Sequence, residues 1–406
     1  MSNKLSQNIF YLFLSQVINY VFPFLALPFL FRMLGDDVYG IVATAYSYYI
    51  FLNIVIDFGY EYFATRKVSQ SSTDIRELQK IVSETYLCKS ILLLFALILT
   101  IIIVQLVPNF YAHQSVFYLM MGVPIGTCFF STWFFQGMQQ MAFVTIVSSI
   151  AKGLSFLPMF VFVRTPDDAD IVSLCYSSGF ILSAIVSFLL IRYRFKIRLV
   201  HIKPREIASS FKGSSLFFLS RVSASSYSVG TTLILNVVSG NVISGYYDIA
   251  SKLISAITNL INPITQALYP FMSSDGKTSV LKKFISYGSC LFLIGFILME
   301  VLASYIMKII FGVDNEQSIY AFQILSLVLL FVLPSYLTGY PLLAAKGHDK
   351  YVNISVCIAA LLFIVGTSML YIFGQIGLYT MSGLYVFAEF FVFISRIYGV
   401  KKFKLI

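Results

Sequence analysis

Charge is scarce in this sequence: 11% of its 406 residues are Asp, Glu, Lys or Arg, against 58% hydrophobic. So little charge cannot wet the surface of a soluble fold, which excludes an ordinary globular domain. Histidine occurs only at His113, His201 and His348, each alone in a loop, and no Cys/His cluster has metal-ligand spacing. No metal and no other cofactor is expected. Cys88, Cys128, Cys175, Cys290 and Cys357 lie far apart in apolar context and read as small core residues. A nucleotide-binding P-loop is missing. Long polar segments are missing too: the longest run over 66–83 and 192–214, so there is no separate soluble domain and no large catalytic loop.

What is present is one pattern repeated from Phe10 to Val400. Apolar runs of roughly twenty residues, the length of helix that crosses a hydrocarbon core, alternate with short polar turns. The spacing predicts an all-α, polytopic membrane protein with about twelve transmembrane helices, near 9–31, 41–61, 86–107, 116–135, 142–163, 171–191, 215–238, 246–270, 285–306, 319–343, 352–372 and 378–397. The first run is too long for a signal-peptide core and is expected to remain as helix one.

The cations of the loops set the expected orientation. Twenty of the 28 Lys and Arg residues fall on one side, including Arg66, Lys67, Arg76 and Lys80, then the group from Arg192 to Lys212, and Lys401, Lys402 and Lys404. The other side carries only Arg32, Arg164 and Lys308 beside seven acids. Both termini are therefore expected in the cytoplasm. The net charge of +10 is explained by loops facing an anionic leaflet, and no nucleic-acid partner is expected. Five cations remain inside spans: Lys89, Lys152, Arg221, Lys252 and Arg396.

The two halves align at a constant shift. Moving the chain by 205 residues lays Phe13-Leu14-Ser15-Gln16 on Phe218-Leu219-Ser220-Arg221, Gly35 on Gly240, Gly40 on Gly245 and Ala45 on Ala250. At a shift of 210, Pro124 meets Pro334 and Gly137 meets Gly347. Two six-helix lobes, 1–200 and 201–406, related by a parallel pseudo-two-fold repeat, are expected. Such repeats belong to rocking-bundle transporters with the substrate site between the lobes.

Polar stripes run along several spans. Helix seven carries Arg221, Ser225, Ser228, Thr232 and Asn236; helix eight carries Asp248, Lys252, Ser255, Asn259, Asn262 and Gln266; helix one carries Gln16 and Asn19. Each set shares one helical face. Stripes of that length cannot face lipid, so they face another helix or water, and the cations within them favour a wet lumen. Lys152, roughly nine residues or 14 Å from either end of its span, joins Arg221 and Lys252 as candidate cations of that lumen, which would attract an anionic substrate. An ion pair of Lys152 with Glu389 is the structural alternative. Asp57, Glu61, Asp248, Glu300 and Glu389 are candidate ion-coupling acids; Asp57 and Glu61 also fit simple interfacial positions. Pro23, Pro28, Pro124, Pro158, Pro263, Pro270, Pro334 and Pro341 are candidate hinges, though membrane helices also tolerate proline for packing.

The stretches Phe13-Leu14-Ser15-Gln16, Phe24-Leu25-Ala26-Leu27-Pro28, Leu34-Gly35 through Tyr39-Gly40, Asp57-Phe58-Gly59 with Ala64-Thr65-Arg66, and Trp133-Phe134-Phe135-Gln136-Gly137 resemble the pattern of O-antigen and related polysaccharide repeat-unit flippases (Wzx type). Those belong to the multidrug/oligosaccharidyl-lipid/polysaccharide exporter superfamily. The resemblance covers the chain in length and span number, with its specific motifs in the first third. It implies a transporter, not an enzyme, that moves an undecaprenyl-pyrophosphate-linked oligosaccharide from the cytoplasmic to the periplasmic leaflet of a bacterial inner membrane by alternating access, driven by an ion gradient. Implied partners are the lipid-linked substrate, membrane lipids and the polysaccharide polymerase and chain-length machinery. The alternatives are a drug/cation antiporter of the same superfamily, which would need an acidic lumen, a membrane enzyme, which would need a long periplasmic loop, and a scaffold subunit of polysaccharide assembly.

Overall fold

Apolar runs without water to bond their backbone must satisfy every N–H and C=O internally, and the helix does this within one segment. The computed structural model describes residues 2–262, 264–265, 268, 272, 278–313 and 315–405, with the side chains of 2–21, 24, 216, 220, 224 and 228 outside the description. Among the described residues all regular structure is helical. Among the described residues, nine helical segments are long and apolar enough to span a membrane: Leu25–Asp57, Ile75–Leu106, Gln114–Gly137, Met141–Phe162, Pro166–Arg194, Thr278–Phe311, Glu316–Ala344, Asp349–Ile372 and Leu378–Lys402. The chain is a multi-pass membrane protein. Its large exposed residues agree: Leu291, Ile294, Ile297, Leu298 and Val301 lie bare along one helix, a surface that hydrocarbon accommodates and water does not.

Among the described residues, the expected first and second spans and the expected seventh and eighth are not separate segments of this set. The first two expected spans lie within one helical run, Ser2–Asp57, broken only at Gly35. The seventh and eighth correspond to Pro204–Ser228 with Gly230–Ser239, continuous through the helical backbone of Val229, and to Asn241–Thr258.

Chain contacts divide the molecule into two compact units, Met1–Val222 and Ser223–Ile406, with the division inside the helix Pro204–Ser228. In the first unit Gly35 has φ 74° and ψ 169°; in the second, Gly240 has φ 90° and ψ 177°. This region of backbone space is open essentially to glycine alone. The two glycines superposed by the 205-residue shift thus make the same turn. Pro124 and Pro334 are likewise each the third residue of a short helix, Gly122–Phe129 and Val332–Thr338, that starts after a break in its span. A proline removes one N–H and crowds the preceding turn, which places the break just before it.

Candidate functional site

The first unit gathers its charges where the helix ending at Asp57 turns into the next. Phe58 and Gly59 both take positive φ, 45° and 79°, which stops one helix and starts Tyr60–Gln70. A Cβ on Gly59 would lie 2.7 Å from Phe217 Cβ and 2.8 Å from both Phe218 N and Ser214 O. Only glycine lets the helix Pro204–Ser228 cross this closely. Phe58 stacks on Phe218, with ring centroids 4.3 Å apart, and meets Phe211 edge-on at 5.4 Å. The Asp57-Phe58-Gly59 motif is therefore a docking joint for that helix.

The joint delivers Arg221 to two carboxylates. Its Nη1 lies 2.9 Å from Asp57 Oδ2 and 2.6 Å from Glu61 Oε2. The other oxygen of Asp57, Oδ1, accepts from Lys89 Nζ at 3.2 Å. Asp57 and Glu61, one helical turn apart, thus hold two cations, and the four formal charges cancel. Burial differs across the cluster: the Lys89 side chain is 2% exposed, whereas Arg221 and Glu61 are each 34% exposed. The Asp57–Lys89 half is structural, since a buried amine without its carboxylate is strongly unfavourable. The Arg221–Glu61 half is open to exchange with water or an anion. A further ion pair, Lys67 to buried Glu84 at 3.0 Å, lies nearby in sequence.

The second motif packs beneath the first. Trp133, Phe134 and Phe135 are fully buried in a core with Tyr60, Ala64 and Val68, and Thr65 Oγ1 reaches the Trp133 carbonyl at 3.1 Å. A Cβ on Gly137 would lie 2.6 Å from Val68 Cβ. Ala64 and Gly137 are small because two helices cross there.

The other expected residues are placed as follows. Lys152 is half-buried, its Nζ 5.7 Å and 5.9 Å from the ring centroids of Phe156 and Phe180, a cation–π arrangement. Lys252 pairs with Asp248 at 2.6 Å, one turn away on the same helix. Asn236 is buried and donates to Asn241 Oδ1 at 3.0 Å and Ser244 Oγ at 3.2 Å, tying the turn at Gly240. Thr232 is buried, Ser225 half-buried, and Asn262 donates to Asn259 Oδ1 at 3.1 Å. Glu389 is buried beside Tyr227 and Arg396. Glu300 accepts from Ser326 Oγ at 2.6 Å. The side chains of Gln16 and Asn19, and Gln266, lie outside the described residues.

Two cations stand out structurally although the sequence reading gave them no role. Lys89 neutralises Asp57, and Arg396 is buried, donating to Ser335 O and Oγ at 3.0 and 3.2 Å. Gly339 leaves room for that guanidinium: a Cβ there would lie 3.0 Å from its Cζ. The available signal was their position inside apolar runs, where a charge requires a partner.

Comparison with known proteins places this arrangement. Over 98% of both chains the fold superposes on an inward-facing multidrug resistance MATE family transporter of the MOP superfamily, with TM-score 0.74 and 12% identity. It also superposes on the lipid II flippase MurJ in an inward closed conformation, with TM-score 0.78 and 16% identity, covering 97% of this chain and 87% of that one. An Escherichia coli (strain K12) protein named "Putative O-antigen transporter" is 28% identical over 358 residues, 86% of each chain. Residues 5–275 match the family model described as polysaccharide biosynthesis protein. That match spans both motifs, the Asp57–Arg221 cluster and more than half of the chain, and the chain belongs to this polysaccharide biosynthesis family.

Proposed function

We propose that this chain is a flippase that carries an undecaprenyl-pyrophosphate-linked oligosaccharide, an O-antigen or similar repeat unit, from the cytoplasmic to the periplasmic leaflet of the bacterial inner membrane. It works by alternating access of two lobes, 1–200 and 201–406, with both termini cytoplasmic and an ion gradient as the energy source. The observation that carries this reading is the family match over residues 5–275, reinforced by the 28% identity to the Escherichia coli relative across 86% of both chains. Its substrate and the membrane lipids are its immediate partners; the polymerase and chain-length machinery of the same assembly line would receive the product.

The chemistry of Arg221 supports a pyrophosphate substrate. A guanidinium holding two carboxylates presents the forked donors that a phosphate takes up in their place. Pyrophosphate binding at Arg221 would release Glu61 and one oxygen of Asp57, the two acids of this cluster assigned to ion coupling. Substrate binding and ion coupling would thereby share one cluster. Lys152 and Lys252 are the further cations assigned to the substrate, with Gln16, Asn19, Ser225, Thr232, Asn236, Asn259, Asn262 and Gln266 as polar lining. Asp248, Glu300 and Glu389 are the remaining coupling candidates.

The test is reconstitution of the purified chain, alone, into vesicles loaded with a labelled undecaprenyl-pyrophosphate oligosaccharide. Transfer is read as accessibility of the sugar to a membrane-impermeant lectin. The wild type is expected to transfer the lipid and protein-free vesicles are not; equal rates in the two would overturn the reading. Arg221→Ala is expected to abolish transfer, and Arg221→Lys to retain part of it, because charge survives while the fork is lost.

A further inference from the structure

The second unit carries a wide-open surface cavity of about 620 Å³ lined by Phe296, Glu300, Tyr320, Gln323, Ile324, Leu327 and Tyr379. That volume lies within the range of small-molecule sites. Three helical segments build it. Phe296 and Glu300 are one turn apart on Thr278–Tyr305. Tyr320, Gln323, Ile324 and Leu327 follow the i, i+3, i+4, i+7 spacing of one helical face, and Tyr379 is the second residue of Leu378–Lys402. The cavity opens outward, since Tyr320 and Tyr379 are 53% and 42% exposed. Both tyrosines stand near the starts of their helices, where amphipathic rings mark a membrane boundary. Their rings meet edge-on, with centroids 6.4 Å apart.

Glu300 sets this cavity apart. Asp57, Glu61 and Asp248 each have a cation within salt-bridge distance, and Glu389 has Arg396 on its own helix. Among the described residues Glu300 makes no ion pair; its carboxylate is held by the Ser326 hydroxyl at 2.6 Å. A carboxylate within an apolar span calls for a positive partner, and here it borders a cavity large enough to admit one. Aromatic faces around the opening add cation–π attraction. The mostly apolar lining and the exposed entrance suit a cation that carries a hydrocarbon tail.

We infer that this cavity binds the ammonium group of an amphiphile, with Glu300 supplying the charge and Phe296, Tyr320 and Tyr379 the ring faces. The site stands within the second unit and does not rest on the flippase reading. The same chemistry has two sources, the headgroup of an aminophospholipid and a free hydrophobic amine.

Binding is measured by equilibrium dialysis of the full chain in neutral detergent micelles, with three labelled probes: phosphatidylethanolamine, dodecyltrimethylammonium and, as a control without an ammonium group, phosphatidylglycerol. At least one ammonium probe is expected to saturate a site that Glu300→Gln weakens about tenfold or more, as loss of a partly buried charge partner would. The glutamine keeps the side-chain shape and an acceptor for Ser326. Saturation by phosphatidylethanolamine identifies a lipid site; saturation by dodecyltrimethylammonium alone identifies a site for free amines. Should Glu300→Gln misfold, judged by gel filtration, Tyr379→Leu at its exposed position decides, with a several-fold loss expected. Equal binding of phosphatidylglycerol, or unchanged ammonium binding in the variant that folds, would overturn the inference.

Discussion

Arg221 Nη1 stands 2.9 Å from Asp57 Oδ2 across 164 residues of chain. The contact depends on Gly59, whose missing side chain lets the helix of Arg221 cross the turn that carries Asp57. A motif that reads in sequence as a family signature is, physically, the means of bringing a cation to two carboxylates. Asp57 then serves two partners of different character, Lys89 in the core and Arg221 nearer the surface.

Removing the charge of Asp57 should destabilise the protein through Lys89. Asp57→Asn leaves a buried ammonium with a poorer acceptor, a change expected to cost about 3–5 kcal/mol. Lys89→Met in the same chain should recover much of that loss, because no unpaired charge remains. Denaturant unfolding in micelles of the wild type, both single variants and the double variant gives the coupling energy. Additive losses would mean that the two side chains do not act as a pair.

Two glycine substitutions should separate backbone strain from steric clash. At Gly35 no atom lies within 4 Å of an added Cβ, so Gly35→Ala bears only the strain of its φ and ψ, about 1–3 kcal/mol. Gly59→Ala bears a similar strain and also drives a methyl into backbone atoms of the crossing helix. It is expected to lose more stability than Gly35→Ala and, in the vesicle assay, to behave like Arg221→Ala. Thermal unfolding of the two purified variants, with their transfer rates, checks both halves.

One ion pair outside the apolar runs 86–107 and 215–238 gives a pH dependence with a definite sign. Glu206 lies 2.8 Å from Lys80 and accepts from the Lys203 backbone N–H at 2.9 Å. The Lys80 side chain first, and then that N–H, hold its carboxyl below the usual glutamate value. The contribution to stability is therefore full above the ordinary glutamate range and is lost as pH falls through the depressed folded value. Glu206 is solvent-exposed, so salt should weaken the effect. Melting curves of the wild type and Glu206→Gln should differ near neutral pH and converge in acid; a constant difference would refute the assignment.

The proposed topology, with both termini cytoplasmic, rests on the loop cations and is open to a direct test. In a chain without its native cysteines, a single cysteine at position 167 should react with an impermeant thiol reagent from the periplasm, and one at position 203 only after the inner membrane is opened. Labelling at 203 in intact spheroplasts would reverse the proposed direction of transport.

Several features of the site were legible in the linear sequence, and the others fail for identifiable reasons. Arg221, Lys252 and Asp248 stand out because charges in apolar runs are rare, and the Asp248–Lys252 pair is visible as one helical turn. The polar stripe of helix seven runs through Val229, whose backbone stays helical and whose N–H bonds the Ser225 carbonyl at 3.0 Å. Asn236, on that stripe, spends its amide on the neighbouring turn. Periodicity places a residue on a face but does not say what that face meets.

By itself the sequence determined the membrane class, the helical elements and the family motifs, because hydrocarbon imposes length, apolarity and internal hydrogen bonding on every span separately. Tertiary structure alone decided which charges cancel. Lys89 and Arg221 meet Asp57 through contacts 32 and 164 residues apart, set by a glycine crossing and a stacked phenylalanine pair. Glu300 lines its cavity because three separated helical segments converge there. Coulomb attraction and close packing act through space, and local pattern carries no record of which distant partner the fold will bring within reach.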